Sequence, residues 1–200
     1  MKMENNRLRI DSLCKSYNGE SVLKNLSLSL DMGKNYCLMA PSGTGKTTLF
    51  RILLGLETPD AGQIHGLDTL RTAAIFQEDR LLESFTALEN IRFVTGRQYT
   101  NGEILHILCR LLPEEALSKP ICEFSGGMKR RTAILRALLA PSDFIIMDEP
   151  FTGLDGETKQ KAIDLILEFT KEKLLLFSTH HPEDAELLFA ETIHLTERKI

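Results

Sequence analysis

The apolar run "NYCLMA" (Asn35–Ala40) feeds directly into "PSGTGKTT" (Pro41–Thr48), and a helix-periodic segment follows at once. No other stretch limits the fold as strongly, because strand, glycine loop and helix stand in the order that an anion cradle needs. Gly43 and Gly45 let the backbone turn its N–H groups inward, making a concave nest for anionic oxygens. A helix starting near Lys46 aims its positive dipole end at the same spot. Lys46 adds a point charge suited to β- and γ-phosphates, and the Thr47 hydroxyl can ligate Mg²⁺. Against the usual spacing G-x-x-x-x-G-K-[ST], Ala40 stands where the first glycine would be. The glycines nearest the phosphates are intact.

The rest of the chain supplies a matching scaffold. Alternation in "RLRIDSL" and "VLKNLSLSL" reads as two strands about a polar turn at Asn18-Gly19. From Lys46 to Gly55 the pattern is helical, with Leu49, Ile52 and Leu53 on one face, and "GQIHG" and "TAAIFQ" read as short strands. From Leu81 to Leu112 apolar residues recur at helical spacing until Pro113 and Pro120 interrupt them. A helix is expected from about Gly127 through "KRRTAILRALLA". Strand "DFIIMDEP", helix "GETKQKAIDLILEFTKE", strand "KLLLFSTH", helix "PEDAELLFAE" and strand "TIHL" complete the order. Strands alternating with helices imply a mostly parallel α/β sheet. The expected fold is an α/β P-loop NTPase with a small antiparallel β part on the N-terminal side and an inserted helical subdomain. A single domain over 1–200 is expected, with core segments about 1–80 and 141–200 and the helical piece about 81–140. No appended domain is expected after the last strand.

Composition narrows the function classes. With 42% hydrophobic residues, 26% charged and a net charge of −4, the chain suits a globular domain and lacks the basic excess of a nucleic-acid binder. No nucleic-acid partner is expected. "FIIM" and "LLLF" fall far short of the roughly 20 apolar residues of a membrane helix, so any link to a membrane must run through a partner. Cys14, Cys37, Cys109 and Cys122 have no metal-ligand spacing and read as reduced, mostly buried thiols.

Two further stretches carry chemistry. In "FIIMDEP" an apolar strand ends on Asp148, suited to a Mg²⁺ shell, and on Glu149, suited to orient or deprotonate water. "FSGGMKRR" (Phe124–Arg131) opens a helix with Ser125, Gly126 and Gly127, again an anion-binding shape. It is also a plain N-cap by Ser125. One nucleotide rarely needs two such helix starts from the same subunit.

Taken in order, these motifs resemble those of the ATP-binding subunits of ABC transporters, and the likeness spans essentially the whole chain. "APSGTGKTT" resembles Walker A, "IIMDEP" resembles Walker B, and "FSGGM" resembles the signature usually written LSGGQ, with Phe124 and Met128 as departures. Tyr17 in "KSYNGE" resembles the aromatic that stacks on adenine, and Gln77 in "AIFQED" resembles the Q-loop glutamine. "FTGLD", ending at Asp155, resembles the D-loop. His180 in "FSTHH" resembles the switch histidine, with His181 where an aspartate often follows.

The resemblance implies a catalytic set of Glu149, His180 and Gln77. ATP would be bound by Tyr17, Pro41, Ser42, Gly43, Thr44, Gly45, Lys46, Thr47, Thr48, Ser125, Gly126, Gly127 and Asp155. Mg²⁺ would be held by Thr47, Gln77 and Asp148. It further implies two copies packed head to tail around two ATP molecules, driving separate integral-membrane permease subunits from the cytoplasmic face of the membrane. "FQEDRLL" and "TALENI" are similar to importer subunits for nitrate, sulfonate and taurine, so import is favoured. The alternatives are an ABC-type ATPase acting on DNA or ribosomes, and a nucleotide-binding regulator without useful hydrolysis.

Overall fold

Strand β1 (Arg7–Tyr17) turns through Asn18 and Gly19, both at positive φ (50° and 84°), into β2 (Glu20–Asp31). That geometry matches the right-handed twist of a hairpin, and Tyr17 faces Glu20 across it. With β4 (Ala61–His65) on its other side, β1 forms a three-stranded antiparallel sheet of order β2-β1-β4. The second sheet is wholly parallel. Its five strands run β5 (Thr72–Ile75), β6 (Phe144–Asp148), β7 (Leu174–Ser178), β3 (Asn35–Met39) and β8 (Glu191–His194). The computed structural model describes residues 7–41 and 43–195. Ser42, expected to contact nucleotide, lies outside the described residues.

The parallel sheet divides two cores, and the period-2 rule decides which residue enters which. Ile145 and Met147 of β6 and Leu175 and Phe177 of β7 join one core, built with the helices. Phe144, Ile146, Leu174 and Leu176 join the other, built with the antiparallel sheet and helix α1 (Lys46–Leu53). Both faces of β6 and β7 are therefore apolar, which is why these strands read as continuous hydrophobic runs.

Helices α2 (Ala87–Thr95), α3 (Asn101–Leu108) and α4 (Gly126–Leu139) make the helical layer, with α5 (Gly156–Phe169) and α6 (Pro182–Leu187) beyond it. Ile91 of α2 and Ile104 of α3 sit in the same apolar cluster as Ile145 and Phe177 of the sheet.

Several elements are shorter than expected. Leu81–Thr86 is not helical. The buried Asn90 side chain accepts from Leu82 N–H at 2.8 Å and donates to the Leu82 and Thr86 carbonyls at 3.1 and 3.0 Å, holding that segment as a loop. Strand β5 stops at Ile75, leaving Phe76 and Gln77 in a loop. Helix α5 ends at Phe169, where the Thr170 hydroxyl donates back to the Ile166 carbonyl at 2.7 Å, and α6 ends at Leu187 before Phe189 at φ 49°. The cysteines correct an expectation too. All four are free, yet only Cys37 is buried, with burial pushing its thiol up to about 12; Cys109 and Cys122 are exposed.

Candidate functional site

A cleft of about 410 Å³ opens where the chain leaves β3, β6 and β7. In open parallel sheets this edge, at the carboxyl ends of the strands, is where ligands bind. The glycine loop forms one wall. Gly43 and Gly45 stand at φ 85° and 93°, so both use conformations that L side chains rarely adopt. At Gly45 a Cβ would lie 2.8 Å from both Val22 Cγ1 and Leu23 Cδ2, so glycine is required by space as well as by torsion. Thr44 closes the loop, its hydroxyl donating to the Pro41 carbonyl at 2.6 Å. Gly45 precedes α1 without a side-chain cap, and the helix has no acidic residue in its first turn. Those N–H groups and the helix dipole face the cleft. The Lys46 ammonium lies within the same loop, donating to the carbonyls of Ala40 and Pro41, the latter at 3.2 Å.

The opposite wall is acidic. Asp148 ends β6, with Oδ2 3.4 Å from the Thr47 hydroxyl. Glu149 follows at φ 48°, and its Oε1 lies 2.8 Å from His180 Nε2. His181 turns away, its Nδ1 3.7 Å from Glu183, so His180 is the histidine of the cleft. Gln77 also lines the cleft, carried on a loop that α4 holds from below. The nearly buried Arg130 donates to the carbonyls of Phe76 at 2.8 Å and Gln77 at 3.1 Å, while Arg136 donates to those of Asp79 and Arg80. Burial pushes the Asp79 carboxyl up, opposed by the charge of Arg130, 3.1 Å away.

Tyr17 and Val22, from the two strands beside the turn of the β1–β2 hairpin, form the apolar end of the cleft. Burial raises the Tyr17 phenol above its ordinary value, and a hydrogen bond to Glu57 raises it further. The Lys15 ammonium stands 5.4 Å from the ring centroid, a cation–π distance. An aromatic face at one end and a cationic nest at the other suit a base and its phosphates.

An all-oxygen donor set of Thr47, Asp148 and Gln77 fits a hard cation such as Mg²⁺. No group of three His, Cys, Asp or Glu side chains that could hold a metal occurs among the described residues.

Ser125, Gly126, Gly127 and Asp155 do not line this cleft. Ser125 caps α4, accepting from Met128 N–H at 3.3 Å, and Asp155 caps α5, accepting from Thr158 N–H at 2.9 Å. These two helix starts adjoin one another: a Cβ on Gly127 would lie 3.2 Å from the Gly153 carbonyl oxygen. Phe124 is buried in the helical core, which accounts for a large apolar residue at that position. Sequence reasoning missed three contributors: Val22, Ser178 and Arg130. Ser178 was detectable as the polar end of an apolar run parallel to "FIIMD"; Arg130 carries no comparable signal.

Fold and cleft together define a P-loop ATPase, with the Ser125-capped start of α4 standing apart from its cleft. The profile of the ABC transporter family matches residues 23–152. An uncharacterized ABC transporter ATP-binding protein of Bacillus subtilis, YxlF, is 33% identical over 96% of this chain and 69% of its own length. The aliphatic sulfonates import ATP-binding protein SsuB 1 of Nocardia farcinica is 34% identical over 98% of this chain and 80% of its own. The Nod factor export ATP-binding protein I of Cupriavidus metallidurans is 34% identical over 90% and 65%. Among solved structures, the dimeric bacterial ABC transporter cassette MJ0796 superposes with a TM-score of 0.81 at 26% identity, covering 94% of this chain and 93% of that one. The same cassette has been solved as a dimer in a post-hydrolysis state with ADP and Pi. The chain belongs to the ABC transporter family and is an ATP-binding, ATP-hydrolysing subunit of that class.

Proposed function

We propose that two copies of this chain sandwich two ATP molecules head to tail and that their closure and opening drive separate membrane subunits. The observation that carries this reading is the Ser125 helix start, uncapped by any acidic residue yet absent from its own chain's cleft. In a two-fold arrangement it would face the Lys46 loop of the other copy. Tyr17 and Val22 would hold the base, and the loop from Pro41 to Thr48 the phosphates. Glu149 would accept the proton of the attacking water, with His180 orienting it at the 2.8 Å contact. Asp148, Thr47 and Gln77 would hold Mg²⁺, which when bound neutralises charge on the phosphates. Lys46 and the Ser125 helix of the second copy would balance the remaining charge. The division into a core (about 1–80 and 141–200) and a helical lobe (about 81–140) is part of the same reading.

Membrane coupling has its own support. Among the described residues no helix is long and apolar enough to cross a membrane. The lobe exposes Leu82, Phe85, Phe93 (62%) and Val94, with the Phe85 and Phe93 rings edge to face at 5.2 Å. An exposed aromatic pair is a common anchor for a partner protein, here an integral permease subunit at the cytoplasmic face of the membrane. The carboxy-terminal side of Gln77 leads directly to this patch. Import is proposed, in keeping with the sulfonate-import relative.

Replacing Phe85 and Phe93 with serine is expected to leave ATP hydrolysis by the isolated subunit intact and to abolish co-purification with the permease. Vesicle uptake per ATP should then fall toward zero. Undiminished uptake would contradict the docking assignment, and ATP-driven movement in the opposite sense would contradict import.

A further inference from the structure

Ser178 ends β7 as the one polar residue of that strand, and solvent does not reach it. The parallel register of β6 and β7 sets it opposite Asp148, at the last paired position of the two strands. Its hydroxyl donates to Asp148 Oδ1 at 2.6 Å and accepts from the Glu149 N–H at 3.1 Å. A single oxygen thus serves two consecutive acidic residues, as donor to one side chain and acceptor for the other's backbone. A hydroxyl does both through one atom, which neither an ammonium nor an ionised carboxylate can.

Each bond has a geometric consequence. With Oδ1 engaged, the Asp148 carboxylate presents Oδ2 toward the Thr47 hydroxyl, 3.4 Å away on the phosphate side of the cleft. Glu149 stands at φ 48°, a region that a residue with a side chain enters only at a cost and only when its surroundings hold it there. The chain leaves the β6–β7 ladder at this turn, and the Ser178 oxygen takes up the N–H that the ladder no longer serves. The turn brings the Glu149 carboxylate to His180.

We infer that Ser178 is a positioning residue for ATP hydrolysis: it selects the oxygen that Asp148 offers to the metal and fixes the turn that aims Glu149. The inference rests on the reading of Asp148 and Glu149 given above. It assigns the end of β7 a part in the reaction separate from that of His180, two residues further on.

Ser178→Ala removes one buried oxygen and leaves the packing nearly unchanged. Turnover is expected to fall about 10- to 100-fold, the usual loss when the partner that orients a metal ligand is removed, with KM for Mg·ATP raised by up to about tenfold. A second readout needs no turnover. The gain in affinity for a fluorescent ATP analogue on exchanging EDTA for Mg²⁺ should shrink by roughly tenfold, while affinity in EDTA stays at the wild-type value. Ser178→Thr, which keeps the hydroxyl, should recover both. If Ser178→Ala fails to fold by circular dichroism, Ser178→Cys carries the same test at similar volume with a far weaker donor. Glu149→Gln run in parallel separates the two levels of the argument. Full turnover in Glu149→Gln would overturn the reading of the site. An inactive Glu149→Gln beside a Ser178→Ala with wild-type turnover and Mg²⁺ response would overturn the role of Ser178 alone.

Discussion

Glu149→Gln is expected to lower steady-state ATP hydrolysis about 10²–10⁴-fold, the range that a positioned general base contributes, and to leave ATP binding intact. The amide is nearly isosteric, so the left-handed turn at φ 48° and the contact with His180 need not be lost. What is lost is the capacity to accept a proton from water. Nucleotide that binds but is not cleaved should hold two copies together. Size-exclusion chromatography with ATP and Mg²⁺ should therefore move the variant to the dimer position, where wild type, which hydrolyses its ATP, is only transient. Normal hydrolysis by a variant that stays monomeric at saturating ATP would remove Glu149 from its assigned role.

Lys46→Ala acts earlier, on the phosphates themselves. The ammonium sits within the glycine loop and its donors already converge on loop carbonyls, so it is held close to where β- and γ-phosphates would lie. Hydrogen bonds involving a charged group contribute about 1.5–3 kcal/mol each, and two such bonds place the expected loss at about 3–6 kcal/mol. That corresponds to an affinity for ATP lower by roughly 10²–10⁴-fold. Isothermal titration with ATP and Mg²⁺ measures it directly. Without nucleotide Lys46 donates to the Ala40 and Pro41 carbonyls, so the thermal midpoint of the nucleotide-free variant should also fall, and titration below that midpoint separates lost binding from lost folding. Retained affinity and turnover would contradict the phosphate role of the loop.

Both residues were legible in the sequence, and for a physical reason. Where function resides in a short loop at a strand end, the strand, the glycines and the charged residue are contiguous, and "NYCLMAPSGTGKTT" and "FIIMDEP" carry their own context. The parallel strands were legible because burial on both faces leaves continuous apolar runs. What escaped was non-local. Leu81–Thr86 looked periodic, but Asn90 holds it as a loop through bonds that no local propensity encodes. The helix starts themselves have local signals: "TALE" and "TNGE" carry capping boxes in which Thr86 and Thr100 pair with Glu89 and Glu103, marking the starts of α2 and α3. Arg130 holds the Gln77 loop from 53 residues away, and Ser178 meets Asp148 only once β6 and β7 are in register. Of the two histidines in "STHH", His180, the first after the strand end in sequence, is the one that meets Glu149, while His181 meets Glu183.

The head-to-tail sandwich is the central claim, and mixing two inactive variants tests it most directly. A Lys46→Ala homodimer is damaged at both sites, and so is a homodimer carrying Ser125→Arg, which would block the partner-facing helix start. If each ATP lies between Lys46 of one copy and Ser125 of the other, a mixed dimer collects both defects in one site and leaves the second wholly wild-type. Hydrolysis, or nucleotide trapping at that intact site, should then appear on mixing and be maximal near equal proportions. Heterodimers demonstrated by differential tagging that show neither activity at any ratio would mean that Lys46 and Ser125 serve the same chain's nucleotide, and the sandwich would be wrong.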